Sequence, residues 1–393
     1  MTIDLARVRA ETPGVANVLH FNNAGAGLMP VPVVDAVKAH LDLEAATGGY
    51  EAAARAASAI RRTYGAVAEL IGADASEIAL MENATVAWQA VFHAMCRRFQ
   101  PGDKILTVEA EYATNYISYL QAKKLYGLDV AVVPSNEAGA VDVDALAGMI
   151  DDRVKLISMT HVPTNGGLIN PAAAVGKIAK DAGVLYLLDA CQSVGQLPVD
   201  VAEIGCDALS VTGRKYLRGP RGTGFLYVRK ELAEDLEPLM LDLRSAVWTG
   251  PDSYELAPGA TRFENWEYNL AAVIGLGVAV DYALALGMDA IFERLSRLAA
   301  TLRGELGDID GVTVTDIGLA KGGIVTFAKD GLHPNDIKAR LGAEKINVSV
   351  TNVGSTRIDM ERRGYDALVR ASVHYYNDEE EVARFVRAVA ALN

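Results

Sequence analysis

Three stretches of the sequence carry residue types that could act together on one ligand. The apolar run "VLYLLDACQS" ends on Asp189. A carboxylate that closes a buried strand is costly unless a cation or hydrogen-bond donor faces it. The next apolar run, "DALSVTG", leads into Thr212, Gly213, Arg214 and Lys215. One short helix and one strand fit between Asp189 and Lys215, so both can reach the same edge of a sheet. Upstream, "EIALMENATVAW" places Asn83, Ala84 and Thr85 where a strand turns into a helix. Free amides and a hydroxyl at a helix N-terminus make a phosphate cradle. The stretch "SVTGRKYLRGPRGTG", Ser210 to Gly224, concentrates four cations and four glycines in a chain that is acidic overall.

A buried carboxylate, a lysine beside cations and a separate anion cradle are the needs of pyridoxal phosphate. Its pyridine nitrogen must stay protonated, its aldehyde takes a lysine as a Schiff base, and its phosphate needs amides, hydroxyls and a cation. On this reading the cations of the Ser210–Gly224 stretch neutralise phosphate and keep Lys215 reactive. Its glycines let the backbone approach the ligand closely. Arg218 and Arg221 read as solvated or interface cations. The segment "GPRGTG" precedes a strand and not a helix, so it is no dinucleotide loop.

These residues need a sheet to position them. Short apolar runs ("KILTVEA", "DVAVVPS", "VKLISMTHV", "VLYLLDA", "DALSVTG") alternate with helical patterns ("NATVAWQAVFHAMC", "AAAVGKIAKDAG"), the signature of βα units around a mostly parallel sheet with helices on both faces. Ligands in such folds bind beyond the carboxyl ends of the strands. Residues 30–47 read as a helix opened by proline. After about residue 270, "GGIVTFAKDG", "INVSVTN" and "LVRASVHYYN" suggest strands of a smaller α+β unit, closed by the helix "DEEEVARFVRAVAALN". The expected organisation is an N-terminal segment over 1–25, a large α/β domain over 26–270 and a small α+β domain over 271–393.

Composition excludes several classes. With 393 residues, 51% hydrophobic and 22% charged, the chain is an ordinary globular one. A formal net charge of −13 disfavours nucleic acid and anionic membranes as partners. Three cysteines, Cys96, Cys191 and Cys206, show no metal-ligand spacing and give no disulfide framework. No metal site is expected, and Cys191 reads as a small buried hydrophobe. No signal peptide and no membrane-length apolar run is found, so a soluble cytoplasmic protein is expected.

Taken together, "FNNAGAGLMP", "ENATVAW", "HVPTNGGLINP", "LLDACQSVGQLPVDV", "VTGRKYLRGPRGTGFLYV", "TRFENWEYN" and "LVRASVHYYNDEEEV" span nearly the whole chain. In their order they resemble the class V aminotransferase family of fold-type-I pyridoxal-phosphate enzymes, in the branch of cysteine desulfurases, selenocysteine lyases and isopenicillin N epimerases. The resemblance implies that Lys215 carries the cofactor and that Asp189 pairs with its ring nitrogen. It implies that Gln192 bonds the phenolic oxygen and that Ala84, Thr85, Thr212 and Arg214 hold the phosphate. Tyr112 takes the place of a histidine stacked on the ring. Arg370 would grip the substrate carboxylate, with Asn23 and Gly25 in the N-terminal loop near the substrate and Thr164 and Asn165 beside substrate and ring. A homodimer with active sites at the interface, acting on a small amino acid, is also implied.

Three departures from the family pattern bear on the reaction. The loop "TNVGSTRIDMERRGYD" has no cysteine where desulfurases keep a nucleophile. Arg214 replaces the histidine that often precedes the lysine. Trp266 and Glu267 stand where many members place a Gly-Thr pair that reaches the partner's phosphate. The expected reaction is Cα deprotonation followed by β-elimination from a cysteine-type substrate without a protein cysteine. Transamination and epimerisation are the alternatives.

Overall fold

A computed structural model describes residues 3–392; Met1, Thr2 and Asn393, at the ends of the expected first and last segments, lie outside the described residues. The large sheet has seven strands: β1 Ile78–Met81, β2 Lys104–Val108, β3 Asp129–Val133, β4 Val154–Thr160, β5 Leu185–Asp189, β6 Ala208–Thr212 and β7 Gly224–Val228. Their spatial order is β1-β7-β6-β5-β4-β2-β3. Only β7 runs antiparallel, pairing with both β1 and β6. The central strands β5, β6 and β7 are almost wholly buried. This is why they read as unbroken apolar runs rather than alternating ones.

Parallel pairing places the carboxyl ends of β1, β2, β4, β5 and β6 at one edge. The register is tight there: Thr160 lies opposite Asp189, and Asp189 opposite Ser210. From that edge α1, Ala84–Cys96, leaves β1, and α2, Ala113–Tyr126, leaves β2. Asn83 caps α1, its side chain accepting from Val86 N at 3.0 Å.

The C-terminal third forms a four-stranded antiparallel sheet of β8 Val312–Val314, β9 Ile324–Lys329, β10 Ser349–Asn352 and β11 Ala367–Ser372, in the order β8-β9-β11-β10. The helix Glu379–Ala390 packs against it with a full capping box at Asp378. The N-terminal segment joins this unit, since Leu19 and His20 pair in parallel with Ile346 and Asn347, and Asn22 bridges Ser372. The helix Leu270–Leu286 packs against the helices Val31–Thr47 and Ala57–Ile71. It is buried along most of its length. No single helix among the described residues is long and apolar enough to cross a membrane.

Candidate active site

The pocket at the carboxyl edge of the large sheet is lined by residues from five chain segments. Ala84 and Thr85 come from the first turn of α1, Tyr112 and Asn115 from the start of α2, and Thr160, Val162 and Thr164 from beyond β4. Asp189 ends β5, Cys191 and Gln192 follow it, and Lys215 follows β6. The first-turn amides of a helix have no carbonyl partner within it, so α1 offers donors and a favourable dipole to an anion.

Asp189 is buried and its two oxygens are separately held. Oδ1 accepts from Cys191 N at 2.9 Å, and Oδ2 accepts from Asn115 Nδ2 at 2.9 Å. Lys215 has its pKa lowered, chiefly by burial, with Arg214 and Arg370 lowering it further and the Asp189 carboxylate opposing them. The loss of hydration therefore outweighs the neighbouring cations in lowering it, the reverse of the weighting that charge composition suggests.

The other expected site residues fall into two groups. Thr85, Ala84, Tyr112, Thr164 and Gln192 line the pocket with Asp189 and Lys215. Gln192 donates from Nε2 to Ala24 O at 3.1 Å, and its Oε1 is buried without a partner. Arg370 reaches across from β11 and donates from Nη1 to Thr164 Oγ1 at 2.6 Å and Thr164 O at 3.0 Å. Its Nε is buried with no partner. Thr212 is buried at the end of β6, opposite Gly224. Arg214 donates to Gly25 O through Nη1.

Asn23 and Asn165 are committed elsewhere. Asn23 donates to Ser372 O at 2.7 Å and accepts from the Tyr376 hydroxyl. Asn165 donates to Thr356 Oγ1 at 2.7 Å and accepts from Thr351 Oγ1. Both side chains tie the pocket's loops to the small sheet rather than line the pocket.

Two sequence expectations, on Arg218 and Cys191, need correction. Arg218 is not a solvated or interface cation. It is 1% exposed, at φ 60°, and donates to Leu28 O at 2.6 Å and Tyr375 Oη at 2.9 Å, and also to Thr12 Oγ1 at 2.5 Å. Its guanidinium lies 4.6 Å from the ring centre of Tyr376, 5.2 Å from that of Tyr375 and 5.8 Å from that of Tyr282. Two glycines of the same stretch also serve the chain itself. A Cβ at Gly213 would strike Thr223 Oγ1 and one at Gly224 would strike Val211 O, so these two also admit close packing within the chain. Cys191 stands in the pocket wall rather than in the core.

Sequence reasoning missed Asn115, Thr160, Val162 and Glu111. Glu111 and Asn115 sit four residues apart at the head of α2, and that spacing was the available signal. Cys96 and Cys206 are buried, and burial pushes all three thiols far up, with Asp189 adding to the effect at Cys191.

The donor set suits pyridoxal phosphate: a buried carboxylate, a lysine of lowered pKa, a helix N-terminus and leftover polar atoms on Arg370 and Gln192. Arg370→Ala should weaken amino-acid binding by roughly 2–5 kcal/mol if the pair is desolvated. The visible absorbance of the bound cofactor should be unchanged. Titrating that absorbance with amino acid checks it, and an unaltered affinity would refute the assignment.

Comparison with known proteins agrees. A probable cysteine desulfurase of Methanothermobacter thermautotrophicus is 30% identical over 382 residues, covering 95% of this chain and 94% of that protein. The apo structure of a cysteine desulfurase from Thermococcus onnurineus NA1 superposes with a TM-score of 0.93 at 29% identity, covering 99% and 98% of the two chains. A variant of the enzyme C-DES, with glycine covalently linked to its pyridoxal-phosphate cofactor, shares the fold at 22% identity, with a TM-score of 0.88 over 98% of this chain and 99% of that one. The model of the class-V aminotransferases matches residues 19–385. With its pocket, its fold and these matches in agreement, the chain belongs to the class-V aminotransferase family and is a pyridoxal-phosphate enzyme of fold type I.

Proposed function

We propose that this enzyme is a C–S or C–Se β-lyase that acts on a small cysteine-type amino acid without a nucleophilic protein cysteine. Bound pyridoxal phosphate supplies an electrophilic aldehyde and a protonated ring that draws electrons away from Cα. Lys215 Nζ takes the Cα proton, which its lowered pKa favours by leaving more of the amine neutral near pH 7. Asp189 holds the proton on the ring nitrogen. Ala84, Thr85, Thr212 and Arg214 hold the phosphate, and Arg370 with Thr164 clamps the substrate carboxylate. Gln192 bonds the phenolic oxygen, Tyr112 covers the ring, and Asn23, Gly25 and Asn165 position the surrounding loops. As the Cα–H electrons form a C=C bond, the Cβ–S bond breaks and its electron pair leaves with sulfur. The released enamine hydrolyses to pyruvate and ammonia.

One observation carries the choice of reaction. The segment 353–364 that would present a nucleophilic cysteine is folded into a short 3-10 turn and the helix Arg357–Arg363. Met360, not a thiol, meets Asn165 Nδ2 at 2.7 Å. Sulfur released here has no thiol in that segment to receive it. The desulfurase names of the relatives support C–S chemistry for this chain.

A second copy of the chain is the proposed partner. Tyr50 and Trp266 are 77% and 53% exposed and line one shallow cavity with Glu267 and Arg244, while Trp248 and Leu243 are also largely exposed. Exposed aromatic side chains gathered in one cavity support an association face there.

The test offers the purified protein a panel of amino acids with and without a keto acid, and measures pyruvate, sulfide and new amino acids. Pyruvate and sulfide without keto acid are expected. A variant with Cys96, Cys191 and Cys206 all changed to Ala should keep this activity apart from packing losses. A folded, cofactor-loaded but dead triple variant, or a persulfide trapped by alkylation, would overturn the reading. A strict requirement for keto acid would replace it with transamination.

A further inference from the structure

The pocket abuts a second buried carboxylate that the proposed chemistry does not use. Glu111 is 3% exposed, and its oxygens are ringed by donors. Tyr112 N lies at 2.8 Å, Thr160 N at 3.1 Å, Thr107 Oγ1 at 3.2 Å and Tyr119 Oη at 3.4 Å; Thr160 Oγ1 also bonds it. The sixth donor is Asn115 Nδ2, 2.9 Å from Glu111 Oε1 and also 2.9 Å from Asp189 Oδ2. An amide NH2 has two hydrogens, so one group can serve both carboxylates at once. Asn115 is itself 4% exposed, so this link is shielded from water.

We propose that Glu111 is a positioning residue for the pyridine end of the cofactor: through Asn115 it fixes the orientation of Asp189, and its charge adds to the negative field that keeps the ring nitrogen protonated. The inference rests on the assignment of Asp189 to that nitrogen.

The surroundings make Glu111 sensitive to pH. Asp189 faces it from the end of β5, and Tyr119 faces it from α2 with its hydroxyl bonded to Ser158 Oγ at 2.8 Å. Lys215, Arg214 and Cys191 bear on the Asp189 side of the link. Burial pushes the Glu111 carboxyl up to about 7, the like charge of Asp189 adds to this, and hydrogen bonds from Thr160, Asn115 and Tyr112 oppose it. Below that pH Glu111 is neutral; above it a second anion stands behind Asp189.

The experiment titrates the visible band of the cofactor-loaded protein from acid to alkaline pH, in wild type, Glu111→Gln and Asn115→Ala. Losing the anion disfavours protons on the bound cofactor, so the midpoint in Glu111→Gln should fall by ~0.5 unit or more. Asn115→Ala should also move it, because it removes the one donor that joins Glu111 to Asp189. Both variants should release cofactor faster on dialysis. A residue with only a structural role would lower thermal stability and leave the midpoint in place, and that result in either variant overturns the proposal. If Glu111→Gln fails to fold, the Asn115→Ala titration decides alone. A wild-type protein with no visible band would instead overturn the cofactor site as assigned, and this proposal with it.

Discussion

Lys215→Ala should end turnover and remove the cofactor's covalent anchor, the largest loss expected of any single change. Lys215 is the lysine that lines the pocket, and burial lowers its proton affinity. Loss of a positioned proton-transfer group alone costs roughly 10²–10⁴ in rate, and losing the anchor comes in addition. The native protein should be yellow, and borohydride should fix the cofactor on the peptide that contains Lys215. Added amines of small size should restore part of the activity to the alanine variant, because they replace the missing base without its tether. A label on another lysine, or a colourless native protein after incubation with cofactor, would contradict the assignment.

Asp189→Asn should keep cofactor binding and lose about a hundredfold or more in kcat, the usual cost of removing a catalytic electrostatic partner. An amide carries no charge with which to hold a proton on the ring nitrogen. The variant also meets a local conflict. Oδ1 already accepts from Cys191 N, so the new NH2 would face the Asn115 NH2, donor against donor. Asn115 must then turn over, which disturbs its bond to Glu111. The cofactor's visible band should therefore change in pH response as well as the rate. Normal turnover would remove Asp189 from the mechanism.

The strands that carry the site were readable because they are buried on both faces and bounded by polar residues. Asp189 and Lys215 stood out as charged residues at the ends of such runs. The direction of β7 was not readable, since an antiparallel strand in a buried position has the same composition as a parallel one. The helix Leu270–Leu286 gave little periodic signal because it is apolar nearly all round. The place of Glu111 depends on the register between β4 and its neighbours, which brings Thr160 onto it from 49 positions away. No local pattern encodes that. Arg218 misled for a related reason. A cation in a glycine-rich stretch suggests solvent or an anion, and its aromatic surroundings come from segments remote in sequence.

The Arg218 cage also bears on how the protein is made. Its partners are Thr12, Leu28 and Tyr375, separated from it by 206, 190 and 157 positions. The turn that follows Lys215 is therefore clasped by segments that precede and follow the large sheet in sequence. During synthesis all seven strands of the large sheet, Ile78 to Val228, are made before Tyr375 is. The clasp must wait for Tyr375, which is made 157 positions after Arg218. The turn after Lys215 is thus secured later than the strands beside it are made, so a chain cut before Tyr375 holds an incompletely secured cofactor site.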